Sequence, residues 1–196
     1  MQGSLVIASS LGMEGLMSEF WQTVIFILEH SEQGSVGIVL NRPSILCLDK
    51  AMLRGSEQSP GTSTSRLSQK FPKNRLYFGG YHKQEIISMI HGFYSVGGTE
   101  IRNGIFVGGY EKACEAASSA RGPNSFKFFA GCVIWKPGEL QREIDSGLWY
   151  SATSSRNIVL KQCLSLPVPL WAEVLRLMGG SYEDEANKVY GNNSAQ

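Results

Sequence analysis

Thr23-Val24-Ile25-Phe26-Ile27-Leu28-Glu29-His30, followed after Gly34 by Val36-Gly37-Ile38-Val39-Leu40-Asn41-Arg42-Pro43, is the stretch whose reading decides the fold. Thr23 to Leu28 has no polar alternation, so it reads as a strand buried on both faces. Ser31 to Ser35, with Gly34, suits a turn. Val36 to Leu40 then returns as a second strand, giving an antiparallel hairpin with a loop of about five residues. Pro43 has no N–H to donate, so the second strand should end near Asn41-Arg42.

Working outward, Leu5 to Ala8, Leu76 to Phe78, Gly104 to Val107 and Phe126 to Trp135 read as further strands, with Trp149 to Ala152 and Ile158 to Leu160 as short ones. Ser9 to Gly15 reads as a connection, and Glu85 to Ile90 suits strand or helix. Glu111 to Arg121 is helical, with Ala113, Ala116, Ala117 and Ala120 on one face and Gly122-Pro123 as its stop. A second helix should start at Pro137, after a cap at Lys136. Glu139 is placed to reach back to exposed backbone donors, Trp135 and Leu140 to form a hydrophobic staple, and Gly147 to end it. Pro169 starts a third helix, with Leu170, Trp171, Val174, Leu175 and Met178 as its apolar stripe and Gly179-Gly180 as its end. Asp49 to Arg75, rich in Ser and Thr, reads as a mobile surface insert with room for a short helix over Asp49 to Arg54. Ser181 to Gln196 reads as a polar, frayed tail, leaving residues 1–180 as one domain.

The composition is that of a single globular unit: 196 residues, 42% hydrophobic and 18% charged. A net charge of +1 supplies no long-range field to steer nucleic acid or an anionic membrane. The 22 glycines, often paired, suit tight turns between short strands. The four cysteines lack any Cys-x-x-Cys spacing and read as reduced, mostly core-lining thiols. No apolar run reaches the ~18 residues that cross a membrane, and no charged segment with an apolar core precedes Leu5. The chain is therefore expected to be soluble and intracellular.

The motifs of chemistry are sparse. There is no Gly-x-Ser-x-Gly elbow, no phosphate-loop pattern and no metal-ligand spacing, and His30, His82 and His91 have no local link to a cysteine. No cofactor is expected. Gly108-Gly109, between a strand and a helix start, offers backbone N–H groups to an anion, or is simply a tight turn. Arg66, Lys70, Lys73 and Arg75 beside Phe71 form a modest basic cluster that suits a single strand of nucleic acid or a solvated loop. Glu29 and His30 should point to opposite faces, with His30 bonding the hairpin turn. Asn41-Arg42 is the most distinctive polar group. Arg42 suits a carboxylate or phosphate, or else both residues lock the strand end.

Three stretches resemble the AlgH/YqgE family: Thr23-Val-Ile-Phe-Ile-Leu-Glu-His30 with Gly34 and Gly37-Ile-Val-Leu-Asn-Arg-Pro43; Tyr77-Phe-Gly-Gly80; and Gly131 through Trp135-Lys-Pro-Gly-Glu-Leu140 with Glu143-Ile144 and Gly147 to Trp149. The resemblance implies an α+β fold, a bent, mostly antiparallel sheet folded into a pseudo-barrel with about three flanking helices. It implies no established activity. Some bacterial members are labelled transcriptional regulators, though no helix-turn-helix grammar occurs here. Tyr81 stands where family members often have Pro, and Gly131-Cys-Val-Ile-Trp135 replaces the usual Gly-Tyr-Ala-Gly-Trp. Leu170 to Gly180 resembles members from photosynthetic eukaryotes, which are often plastid-targeted, so the resemblance implies a plastid if a transit peptide is missing from this chain and the cytoplasm otherwise. The expected role is a non-enzymatic binding or regulatory module using His30, Asn41 and Arg42 toward a protein or a small anionic ligand. The alternative is an enzyme on a small polar or phosphorylated substrate, with Gly108-Gly109 as anion cradle.

Overall fold

The computed structural model describes residues 1–10, 19–49, 63–116 and 125–191. Ten strands form one curled, mostly antiparallel sheet. They are β1 Ser4–Ala8, β2 Val24–Ser31, β3 Gly34–Val39, β4 Pro43–Cys47, β5 Arg75–Phe78, β6 His82–His91, β7 Thr99–Arg102, β8 Ile105–Val107, β9 Lys127–Trp135 and β10 Trp149–Thr153. The path runs β10-β1-β2-β3-β9-β6-β8-β7, with β5 parallel to β9 and β4 beyond it. The α+β class and the bent antiparallel sheet therefore hold. Six helices are described instead of about three: α1 Ser63–Lys70, α2 Tyr110–Ala116, α3 Glu139–Asp145, α4 Arg156–Val159, α5 Leu170–Met178 and α6 Gly180–Tyr190.

The central strand β9 divides the interior. Phe129 packs into the larger core with β1, β2, β3 and α5, while Phe128, its neighbour, joins Phe71, Met89 and Phe126 in a smaller one. Trp149 and Trp171 are fully buried in the larger core.

Several expectations are corrected. The hairpin loop is two residues, since Ser31 pairs with Gly34 and His30 with Ser35; β2 runs on past its apolar stretch after a bulge between Ile27 and Glu29. Pro43 opens a new strand, β4, because the bond to β5 runs from the Phe78 N–H to the Arg42 carbonyl and needs no proline donor. Ile158 to Leu160 is not a strand. Ser155 Oγ accepts from the Ile158 N–H at 3.3 Å and caps α4, overriding the β-branched residues. α3 starts at Glu139, two residues later than Pro137, because Gly138 at φ 70° interrupts helical geometry. Glu139 does accept from the Lys136 N–H (2.7 Å), Trp135 and Leu140 share the larger core, and Gly147 sits at φ 79°. Residues 82–91 resolve as strand, and β7 carried no clear signal.

The insert and the tail also change. Residues 63–70 are helix and 75 opens β5, so only 50–62 of the expected mobile loop, including Arg54, lies outside the described residues. Likewise the helix expected to Arg121 is described to Ala116, and much of the Ser9 to Gly15 connection lies outside. Ser181 to Tyr190 is not frayed. Its polar side chains are engaged with the body: Glu185 accepts from the Ser10 N–H and the Tyr150 hydroxyl, both at 2.7 Å, Asn187 accepts from Arg176 at 3.0 Å, and Ala186 is buried. The four cysteines are free and each is partly exposed.

Candidate functional site

The ends of β3 and β5 and the starts of β4 and β6 meet beside residues 19–23. There they enclose a cleft of about 520 Å³. Phe20, Val39, Arg42, Pro43, Phe78 and Tyr81 form most of its wall, with Glu19 at the same cleft. A volume of this size accommodates a small organic ligand. Three of its rings meet edge to face: Phe20 and Tyr81 with centroids 5.8 Å apart, Phe78 and Tyr81 at 4.9 Å.

The two halves of the Asn41-Arg42 motif do different work. Asn41 Oδ1 accepts from the Val24 N–H at 3.0 Å, and its Nδ2 donates to the Gln22 carbonyl at 2.8 Å. Both arms are spent locking the entry to β2, so Asn41 is a structural residue that also lines the cleft. Arg42 is half-buried. Its Nη2 donates to the Trp21 carbonyl and, at 3.3 Å, to Thr23 Oγ1. Among the described residues no partner meets its Nη1 or Nε. Burial pushes the guanidinium below its usual pKa, while the nearby Tyr81 hydroxyl raises it. A cation that has lost water and keeps unused donors is suited to receive an anion.

His30 does not belong to this cleft. Its Nδ1 and Ser35 Oγ are 2.8 Å apart across the hairpin turn. Six residues separate it along β2 from Val24, about 20 Å at the usual rise of a strand. Its place beside the turn follows from the register of β2 with β3.

The family profile described as AlgH-like (DUF179) matches residues 5–183. The chain belongs to the AlgH-like family. It is 30% identical over 189 residues to a UPF0301 protein of Pelodictyon phaeoclathratiforme, covering 94% of this chain and 90% of the relative. A UPF0301 protein of Chlamydia muridarum is 30% identical over 186 residues, with 92% and 88% covered. Among solved structures, AlgH from Pseudomonas aeruginosa has a TM-score of 0.63 at 21% identity, covering 99% of this chain and 95% of that one. A protein from Corynebacterium diphtheriae has a TM-score of 0.69 at 22% identity, with 94% and 91% covered. These two likenesses show the fold.

Elsewhere in this AlgH-like domain the other candidates acquire structural roles. The Gly108 N–H donates to the Met89 carbonyl at 3.0 Å, and a Cβ on Gly109 would lie 2.9 Å from the carbonyl oxygens of Val96 and Gly97. An anion at this turn would meet carbonyl oxygens and the carboxylate of Glu111, which lines the hollow beside it. Phe71 is buried against Phe126 and Phe128, so it offers no stacking face beside the basic cluster. Arg75 of that cluster donates to the Ser44 and Ile45 carbonyls. His91 is buried between Phe93 and Phe106, accepts from the Phe93 N–H at 3.1 Å and meets the Gly108 carbonyl at 3.2 Å. Burial, which favours the neutral ring, lowers its pKa, opposed by its bond to the Gly108 carbonyl, which favours the protonated one.

One ionised group was passed over in the sequence. Lys127 is 1% exposed and lies in the long apolar strand β9. Its Nζ reaches the carbonyls of Lys161 at 2.8 Å, Leu40 at 3.3 Å and Val159 at 3.5 Å, and sits 4.6 Å from the Tyr77 ring centroid. Desolvation lowers its pKa to about 8, with the neighbouring Cys163 thiol raising it. A single charge in an otherwise apolar run was the available signal. Among the described residues no helix is long and apolar enough to cross a membrane, and no three His, Cys, Asp or Glu side chains come together as a metal site.

Proposed function

We propose that this AlgH-like domain is a non-enzymatic binding or regulatory module whose recognition face is the Arg42 cleft. The observation that supports this reading is the half-buried guanidinium with Nη2 engaged and Nη1 and Nε unmet among the described residues, set beside a wall of aromatic rings. Asn41 serves by holding the strand end that presents Arg42, and His30 takes no part. The partner is a small anionic ligand. The test is a thermal-shift screen of metabolites on the wild-type chain and on Arg42→Ala, since a ligand that binds the folded state raises Tm by mass action. Compounds that stabilise the wild type are expected to lose most of their effect on the variant. Hits that shift both proteins equally would remove the proposal.

A further inference from the structure

The donors left unused in the cleft narrow what it can hold. Both amide arms of Asn41 are engaged on backbone. Ser44 Oγ accepts from the Leu46 N–H and faces the Leu46 carbonyl, and Thr23 Oγ1 lies between the Trp21 carbonyl and Arg42. Among the described residues, what remains is Arg42 Nη1 and Nε, with the hydroxyl of the half-exposed Tyr81. Nε and Nη1 point to different sides of the guanidinium, so the set suits one carboxylate held through a single Arg42 N–H rather than a paired edge.

Charge gives the same answer. Among the described residues Arg42 is the one cation on the wall and Glu19 is its acidic counterpart. A phosphate dianion would carry one charge without compensation, and a partly desolvated site penalises that. Apart from Thr23, Asn41 and Ser44, whose polar atoms are engaged within the protein, the rest of the wall is apolar. Phe20, Phe78 and Tyr81 meet at steep angles, 88° and 72°, leaving ring faces and edges for a flat apolar body.

Resting on the reading of this cleft as the binding face, we propose that its ligand class is a small monocarboxylate with a planar apolar body, seated with its carboxylate on Arg42 and its body against Phe20, Phe78 and Tyr81. Nucleotides and sugar phosphates belong elsewhere. A ligand that also carries a cationic group gains from Glu19.

The test is an NMR titration of the full chain, reading the Trp21 indole N–H and Arg42 Nε–H signals. Three probes share one ring: phenylacetate, phenylacetamide and phenyl phosphate. Phenylacetate is expected to shift both signals saturably. Phenylacetamide, which lacks the charge, and phenyl phosphate are expected to bind at least about tenfold more weakly, the scale of one charged hydrogen-bond pair. Arg42→Gln should weaken phenylacetate by about tenfold or more, and Arg42→Lys, which keeps the charge, should restore part of that loss. The same spectra report whether each variant is folded. Phenyl phosphate binding as tightly as phenylacetate, with loss on Arg42→Gln, would overturn the ligand class and leave the cleft as the binding face. Shifts indifferent to Arg42→Gln, or none with any probe, would overturn both.

Discussion

Two desolvated cations flank the same strand end, and they differ in what is left over. Lys127 lies behind it, sealed from water, with three carbonyl oxygens around its ammonium, one of them Leu40 at the end of β3. Arg42, two residues further along the chain, faces the cleft with one nitrogen engaged. A saturated buried cation holds parts of the protein together, whereas one with donors to spare is prepared for something outside the protein. The comparison can be broken by showing that Lys127 matters for binding alone, or that Arg42 matters for folding.

The largest effect should come from Lys127→Ala. It strands three carbonyls and opens a cavity, so a loss of about 4 kcal/mol is expected in denaturant unfolding. The milder Lys127→Met tests the charge itself. The folded-state pKa of about 8 lies below the ordinary 10.5, so between those values the unfolded chain holds a proton that the folded chain has released. Stability from this group must therefore rise with pH across that window, by about 3 kcal/mol in total. Tyr77, Tyr110 and Cys163, raised by burial, act in the opposite direction. The difference between wild type and Lys127→Met from pH 8 to 10.5 isolates the lysine, and identical pH profiles would contradict its burial as an ammonium.

Asn41→Ala should cost about 2 kcal/mol, because two backbone groups lose their partner at once. His91 sharpens the acid side. Its folded pKa is lowered below the ordinary 6.5, so the unfolded chain takes up a proton first and stability falls as pH drops below that value. His91→Gln should flatten that fall in a pH series of chemical melts. Arg42→Ala sits at the bottom of the scale. Its stability cost should be about 1 kcal/mol or less, since the side chain is half-exposed, while its effect on binding is the whole of the proposal.

The sequence made legible whatever is dictated by pattern. Strands β2 and β9 and helix α5 follow from apolar runs and stripes, and Glu139 back-bonding to Lys136 follows from local capping grammar. What it hid depends on partners distant in the chain. Helix α6 reads as a polar tail until Glu185 is seen bonding Ser10 and Tyr150, 175 and 35 residues away. Asn41 and Arg42 could be picked out as unusual, but assigning one to structure and the other to the cleft required knowing which backbone groups stand opposite. Phe20, Phe78 and Tyr81 share no spacing that would announce a common wall. His30 was grouped with Asn41 and Arg42 because it lies in the same hairpin, whereas the register of that hairpin carries it to the far end.

The register of the sheet also sets a timetable. β1 pairs antiparallel with β10, Ser4 opposite Thr153 and Ala8 opposite Trp149. A ribosome adding about 5–20 residues per second needs roughly 10–30 s to make the chain between them. During that interval Leu5, Val6 and Ile7 have β2 on one side and an empty edge on the other. Covering of the β1 edge is thus a late event in biosynthesis, and the nascent chain presents a sticky strand that invites a chaperone or a neighbouring polypeptide until the tenth strand arrives.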